Sequence, residues 1–175
     1  MKRLALLLML CSLLMSCAGG LARPIQRTAV FNNDEYLPYS KSGKAIITGQ
    51  VFATTKGGEI RYAAGRKISL HPATTYATEY FNIQVVQGNY LSPPDPRFGN
   101  FVKETVSDAT GNFEFKNLPA GKYYVVADFA WCAGRTPQYV IFGALVEAKD
   151  GEVTKVIPPV VRSPLTYYGG EISCY

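Results

Sequence analysis

Several residue types that carry chemistry are scarce in this chain of 175 residues. It has one histidine, one tryptophan, three methionines and four cysteines. One histidine excludes a histidine-rich metal site and leaves little basis for histidine-centred catalysis. The sequence also lacks a G-x-S-x-G elbow, a phosphate-binding glycine loop and a D-x-D-x-D-G calcium loop. We therefore expect a protein that is not an enzyme and binds no cofactor or metal, with His71 in a structural role.

The chain also lacks a Lys/Arg cluster and a sustained amphipathic helix. Its formal net charge is +5, but two of the cations, Lys2 and Arg3, precede an N-terminal apolar run. Without a basic stripe, nucleic acid is not an expected partner. Sixteen glycines, eleven prolines and twelve tyrosines favour strands and turns over a helical bundle.

The apolar run extends from Leu4 to Met15. It is too short to span a bilayer and has the length of a signal-peptide hydrophobic region. Leu14, Ser16 and Cys17 follow the pattern of the bacterial lipobox, which this segment resembles.

The lipobox resemblance implies a lipoprotein signal peptide at residues 1–16 and lipid attachment at Cys17. Two or more acyl chains anchor a protein stably, whereas one does so only marginally. Ala18 follows Cys17 where inner-membrane lipoproteins carry Asp, so the resemblance implies the outer membrane, with the domain facing the periplasm. An ordinary secretory signal, with Cys17 incidental, is the alternative.

Residues 44–162 have the character of strands. In residues 112–115 apolar and polar side chains alternate, which predicts that Phe113 and Phe115 face a core. The odd positions from Tyr123 to Trp131 form another apolar face. We predict about seven short strands in an all-β, antiparallel β-sandwich.

Three segments fall outside this pattern. Residues 17–43 are rich in polar residues, Gly and Pro, and are expected to form a flexible tether, in which Val30 and Phe31 could add an edge strand. Residues 73–103 are a long insert, expected to be functional or mobile, with a short helix near its start. Residues 163–175 form a C-terminal tail.

The run at residues 107–123, SDATGNFEFKNLPAGKY, resembles the hallmark of the carboxypeptidase regulatory-like domain. Ser107 stands where that family usually has Thr. The resemblance covers residues 44–161 and implies a transthyretin-like, or prealbumin-like, sandwich. The motif residues are needed for turns and core packing, so they specify a fold and not a reaction. The family's grouping with carbohydrate-binding-like folds is an analogy at the level of the fold.

Two cysteines remain when Cys11 is removed with the signal peptide and Cys17 is acylated. In an oxidising periplasm Cys132 and Cys174 are expected to form a disulfide, the alternative being two free thiols.

Aromatic residues provide the other functional signal. Exposed rings would bind sugars or protein partners, whereas buried rings would only cover the core. The candidate binding residues are Tyr76, Tyr80, Tyr90, Phe98 and Trp131.

Two functions remain open at this stage. One is a membrane-anchored interaction or assembly domain that holds an unknown envelope protein through the insert or a sheet edge. The other is a carbohydrate-binding module for envelope glycan or peptidoglycan. Exposed aromatic rings would favour the second, and an apolar patch or an uncovered edge strand would favour the first.

We predict that Cys17→Ser prevents lipid attachment, because the serine hydroxyl cannot replace the thiol that accepts the diacylglyceryl group. Fractionation with metabolic acyl labelling should find the variant unlabelled and lost from the detergent-extracted membrane fraction. A variant that is still processed and still extracted with membranes would contradict the lipoprotein interpretation.

Overall fold

The computed structural model describes residues 23–162 and Cys174, and this part of the chain is mainly β-structure. Its strands are β1 (Ala45–Gln50), β2 (Phe52–Thr54), β3 (Ile60–Tyr62), β4 (Lys67–Pro72), β5 (Lys103–Val106), β6 (Asn112–Leu118), β7 (Gly121–Ala133), β8 (Thr136–Ala148), β9 (Val153–Val156) and β10 (Val160–Arg162). Its helices are α1 (Asn33–Tyr36), α2 (Thr75–Tyr80), a π-helix at Phe81–Val86, and 3-10 helices at Leu37–Ser40 and Pro96–Phe101. The predicted signal peptide, Cys17 and the tail apart from Cys174 lie outside the described residues.

Two sheets pack face to face. The smaller has the strand order β6-β1-β9 and the larger β10-β8-β7-β4-β5, while β2 and β3 form a separate hairpin. Neighbouring strands are antiparallel except β1 and β9, which are parallel. The expected antiparallel β-sandwich with one long insert is confirmed.

The last part of the described β-region, from Val153 to Arg162, passes from one sheet to the other. It forms two strands, β9 and β10, at the edges of different sheets. Pro158 and Pro159 separate them, since proline cannot donate a hydrogen bond to a β-ladder. The chain passes from one sheet to the other at these prolines, so β9 lies at the edge of the smaller sheet and β10 at the edge of the larger one.

The main core lies between the two sheets. Phe113 and Phe115 are each only 5% exposed, as the alternation at residues 112–115 predicts. From β7, Tyr123, Val125 and other odd-numbered residues point into the same core. Burial of large side chains contributes about 1.5–3 kcal/mol each, so this layer supplies much of the stability.

The turn before β6 explains part of the 107–123 motif. Asp108 accepts hydrogen bonds from the backbone N–H groups of Thr110 (2.8 Å) and Asn112 (2.9 Å). Hydrogen bonds from the Asn112 side chain and from these amides lower the pKa of Asp108 to about 2. Gly111 has φ +78°, and a Cβ there would lie 2.3 Å from the Val51 carbonyl oxygen. The motif residues are therefore structural here.

The insert covers the outer face of the larger sheet. We name residues 25–36 and 73–102 the outer layer, since both segments contribute to one buried cluster on that face. Phe81 stacks on Tyr124 of β7, with ring centroids 4.2 Å apart and planes 18° apart. Gly143 of β8 lies under the same ring, where a Cβ would come within 2.9 Å of it. The missing side chain at residue 143 thus lets the π-helix approach the sheet.

The prediction that residues 17–43 form a flexible tether is wrong for the described part of that segment. Tyr36 is fully buried, and its hydroxyl accepts a 2.7 Å hydrogen bond from Thr74 Oγ1. Phe31 is also buried, stacked on Tyr36 with centroids 4.8 Å apart, and is not part of a strand. The segment is ordered because its apolar side chains pack with those of the insert and help to cover the outer face of the larger sheet.

A buried ion pair holds the start of this segment. Glu79 Oε1 accepts hydrogen bonds from Thr28 N (2.6 Å), Thr28 Oγ1 (2.7 Å) and Ala29 N (3.1 Å). Glu79 Oε2 lies 3.8 Å from Arg27 Nη1, and both side chains are about nine-tenths buried. Burial alone raises the pKa of Glu79, but the hydrogen bonds and Arg27 outweigh it, so that pKa lies below its usual value.

We predict that Gly143→Ala destabilises the protein by about 1–3 kcal/mol, because the new methyl group would overlap the Phe81 ring. Gly99→Ala is the matched control, since a Cβ at Gly99 meets no atom within 4 Å. Urea unfolding monitored by circular dichroism measures both. Equal stability of the two variants would contradict the close packing of the π-helix on β8.

Acidification should release the segment around Arg27. Since the pKa of Glu79 is lower in the folded than in the unfolded state, its contribution is complete above the unfolded value and disappears as pH falls through the folded value. Exchange of the Thr28 and Ala29 amides, corrected for intrinsic rates, should therefore accelerate below about pH 4. In Glu79→Gln these amides should exchange fast at pH 6 as well. Protection in the unmodified protein that does not change with pH would contradict the role of Glu79.

Candidate functional site

A groove of about 730 Å³ lies between the β2–β3 turn and the far end of the β7–β8 hairpin. We call it the end groove. Its described lining residues are Ala53, Thr54, Thr55, Lys56, Gly57, Trp131, Ala133, Thr136, Gln138, Val140 and Val160. Concave sites that combine apolar surface with a few polar groups are typical binding sites for small molecules.

Trp131 provides the large aromatic surface of the end groove. It is half-buried, and it packs against the main core as the last odd-numbered residue of the apolar face of β7. Its ring lies 5.3 Å from that of Phe129, with the planes 24° apart. Packing against Phe129 fixes the orientation of the indole before any ligand arrives.

Hydroxyl and amide groups line the end groove together with this ring. The hydroxyls of Thr54 and Thr136 make no hydrogen bond to another described residue, and both residues are exposed in the groove lining. Thr55 Oγ1 accepts a hydrogen bond from Glu59 N at 3.1 Å, and Gln138 Nε2 donates to the Pro137 carbonyl at 3.3 Å. The end groove therefore offers one apolar platform with hydrogen-bonding groups around it.

The predicted disulfide is confirmed next to this groove. Cys132 and Cys174 are bonded, and their Cα atoms are 5.6 Å apart. Cys132 directly follows Trp131, so the bond attaches Cys174 beside the groove. Closing a loop between residues 42 positions apart restricts the unfolded chain and stabilises the fold by about 4 kcal/mol.

Most of the other aromatic residues predicted to bind a ligand pack within the outer layer. Tyr76 is 3% and Phe98 is 6% exposed, so neither presents a ring to a ligand, and their proposed binding role is wrong. Tyr80 is half-buried against Phe98 and His71. Tyr90 is 59% exposed but does not line the end groove. Among the five candidates, Trp131 alone lines it.

His71 packs among aromatic rings and is not arranged for catalysis. Its ring stacks on Phe98 at 5.7 Å, and burial lowers the pKa of His71 to about 4. Nε2 lies 3.0 Å from Ser69 Oγ, which itself donates to the Val126 carbonyl at 3.3 Å. Ser69 then accepts from Nε2–H, which is the wrong direction for a base that activates a serine. No described residue hydrogen-bonds to Nδ1, so none orients the ring as in a catalytic triad.

A second cavity, of about 330 Å³, lies on the outer face of the larger sheet beside Tyr80. The charged residues at its rim are already paired. Lys67 Nζ lies 3.0 Å from Glu104 Oε2, and Arg66 Nη2 lies 2.7 Å from Asp128 Oδ2. A ligand there would have to compete with these ion pairs, so the end groove is the stronger candidate.

The polar residues of the end groove were not predicted. Thr54, Thr55 and Lys56 belong to one hairpin, and Thr136 and Gln138 to another. Their meeting depends on how the β2–β3 hairpin lies against the β7–β8 hairpin, which no local pattern encodes. The one signal in the sequence was Trp131 at the end of an apolar strand face.

In the part of the chain that the structure describes, no helix is long and apolar enough to cross a membrane. Within the same residues, no group of three or more His, Cys, Asp or Glu side chains is placed to hold a metal ion.

Comparisons with known proteins give one informative similarity. No family model matches the chain, and no curated protein matches it. A solved structure from Pseudomonas aeruginosa, provisionally described as a carbohydrate-binding protein, superposes with a TM-score of 0.65 at 25% identity. The similarity covers 74% of this chain and 97% of that chain. The full-length RrgB pilus protein from Streptococcus pneumoniae has a TM-score of 0.33 at 14% identity, over 70% of this chain and 31% of that chain, which is too low to support an argument.

Proposed function

We propose that this protein is a non-catalytic carbohydrate-binding domain and that its ligand lies in the end groove. The observation that carries the proposal is Trp131, a half-buried ring that stacks on Phe129 and lines the groove together with polar groups of two hairpins. This combination matches the chemistry of a sugar, which has an apolar C–H face and a rim of hydroxyls.

The groups in the end groove suit both parts of a sugar ring. The C–H face would pack on the indole of Trp131 and remove apolar surface from water. The hydroxyls of Thr54 and Thr136 can both donate and accept hydrogen bonds, as sugar hydroxyls also do. Because the aromatic ring is already oriented, little conformational entropy is lost on binding.

The structural comparison supports the same function. The Pseudomonas aeruginosa protein is provisionally described as carbohydrate binding, and nearly all of its length aligns with this chain. A shared fold is a weak basis for function by itself. The proposal therefore depends on the geometry around Trp131, and the comparison adds to it.

We also propose that the domain acts at the cell envelope, anchored to the outer membrane through Cys17. This proposal comes from the lipobox resemblance at residues 14–17. Its partner would be envelope glycan or peptidoglycan presented near that membrane.

An interaction or assembly domain is the second candidate function. The observation that favours it is the exposed apolar side chain of Val153 (63%) on β9, at the edge of the smaller sheet among the described strands. Ile157, immediately after β9, is 53% exposed. A partner strand could pair with this edge. Replacing Val153 with Lys should abolish such pairing and leave glycan binding intact.

We predict that Trp131→Ala lowers affinity for a bound glycan at least tenfold, because the stacking platform is lost. The glycan is first identified on an array, and affinity is then measured by calorimetry. Tyr90→Ala is the matched control, since Tyr90 is an exposed ring outside the groove.

A second variant keeps the test decisive if Trp131→Ala does not fold. Thr136→Val removes a groove hydroxyl while keeping the shape of the side chain, so it should weaken binding without lowering the melting temperature. If both groove variants bind like the unmodified protein, or if no glycan on the array binds, the proposed function is wrong.

A further inference from the structure

We infer that the saccharide bound in the end groove is acidic, carrying carboxylate groups as a uronic-acid oligosaccharide does. The inference rests on the proposed function and names the substrate class of the same site. It follows from two cations, one in the groove lining and one beside it, that make no ion pair with a described carboxylate.

Lys56 is the one charged residue among the described residues that line the end groove. It is exposed in the β2–β3 turn and makes no ion pair with a described residue. The nearby carboxylate, Glu59, is engaged by Arg61, whose Nη2 lies 2.9 Å from Glu59 Oε2. The positive charge of Lys56 is therefore not neutralised by its own hairpin.

A second cation lies on the opposite hairpin. Arg135 occupies the turn between β7 and β8, between the lining residues Ala133 and Thr136. It is exposed, and no described carboxylate pairs with it. Lys56 lines the groove and Arg135 neighbours its lining residues, while the described lining holds no carboxylate, so the local charge favours an anionic ligand.

The charged residues at the second cavity differ from those at the end groove in being paired. There Lys67 is paired with Glu104 and Arg66 with Asp128, each within hydrogen-bonding distance. Lys56 in the end groove and Arg135 beside it make no such pair with a described carboxylate. A neutral sugar would accept ordinary hydrogen bonds from them, whereas a carboxylate on a sugar ring stacked on Trp131 would form stronger, charge-assisted hydrogen bonds with Lys56 or Arg135.

The direct test compares matched pairs of oligosaccharides. Uronic-acid oligosaccharides of several configurations are each paired with a carboxyl-reduced counterpart of equal length, and affinities for the lipidated or the soluble full domain are measured by calorimetry. The acidic member of at least one pair should bind roughly tenfold more tightly than its reduced counterpart at low salt. That preference should decrease as salt rises, since exposed charges are screened.

Variants that remove a single charge test whether the preference for acidic oligosaccharides arises at the end groove. Lys56→Gln and Arg135→Gln should each reduce the ratio of acidic to neutral affinity several-fold. Lys149→Gln is the matched control, because it removes the same charge from the turn after β8, at the opposite end of that strand. A polyglutamate peptide tests whether carboxylates suffice without a sugar, and it should not compete.

The outcomes separate this inference from the proposed function. Equal or tighter binding of the neutral members overturns the acidic preference and leaves carbohydrate binding in place. Competition by polyglutamate, or an equal effect of Lys149→Gln, also overturns it, because the patch would then attract anions in general. Failure of every acidic and neutral member to bind overturns both.

Discussion

The architecture depends on one constraint, which is that the central strand β7 carries apolar side chains on both faces around Tyr124. Its odd-numbered residues fill the core between the sheets, while Tyr124 and Val126 on the other face need separate cover. A two-sheet sandwich buries only one face of each sheet. The insert and residues 25–36 supply the missing cover, so the molecule has three layers where the motif resemblance implied two. The third layer meets the sheet where the Phe81 ring packs on Tyr124 and Gly143.

The same constraint decides which aromatic residues remain available for binding. Tyr76 and Phe98 are buried in the cluster that covers the outer face, and His71 packs against Phe98. β7 and β8 have 13 residues each, against six in β1 and seven in β6. The long hairpin therefore carries Trp131 to a region bordered by the β2–β3 turn and not by the outer layer. The disulfide at Cys132 fastens Cys174 beside this position.

The features that sequence could predict are those encoded locally. Period-two alternation placed Phe113, Phe115 and Tyr123 in the core, and elimination among four cysteines identified the disulfide. The order of residues 23–43 could not be predicted in this way. Tyr36 and Thr74 are 38 positions apart, and Arg27 meets Glu79 through a segment with no periodic apolar pattern. The end groove was missed for a similar reason, since Thr54 and Thr136 meet only through tertiary packing.

The central claim, that the end groove is the binding surface, is tested most directly by mapping the contact site with backbone and side-chain NMR shifts during titration with a bound oligosaccharide. The largest changes are expected at Thr54, Lys56, Trp131 and Thr136, with little change at Tyr80 or Asp128 beside the second cavity. Shifts centred on Tyr80 and Asp128, or on the β9 edge at Val153, would contradict it.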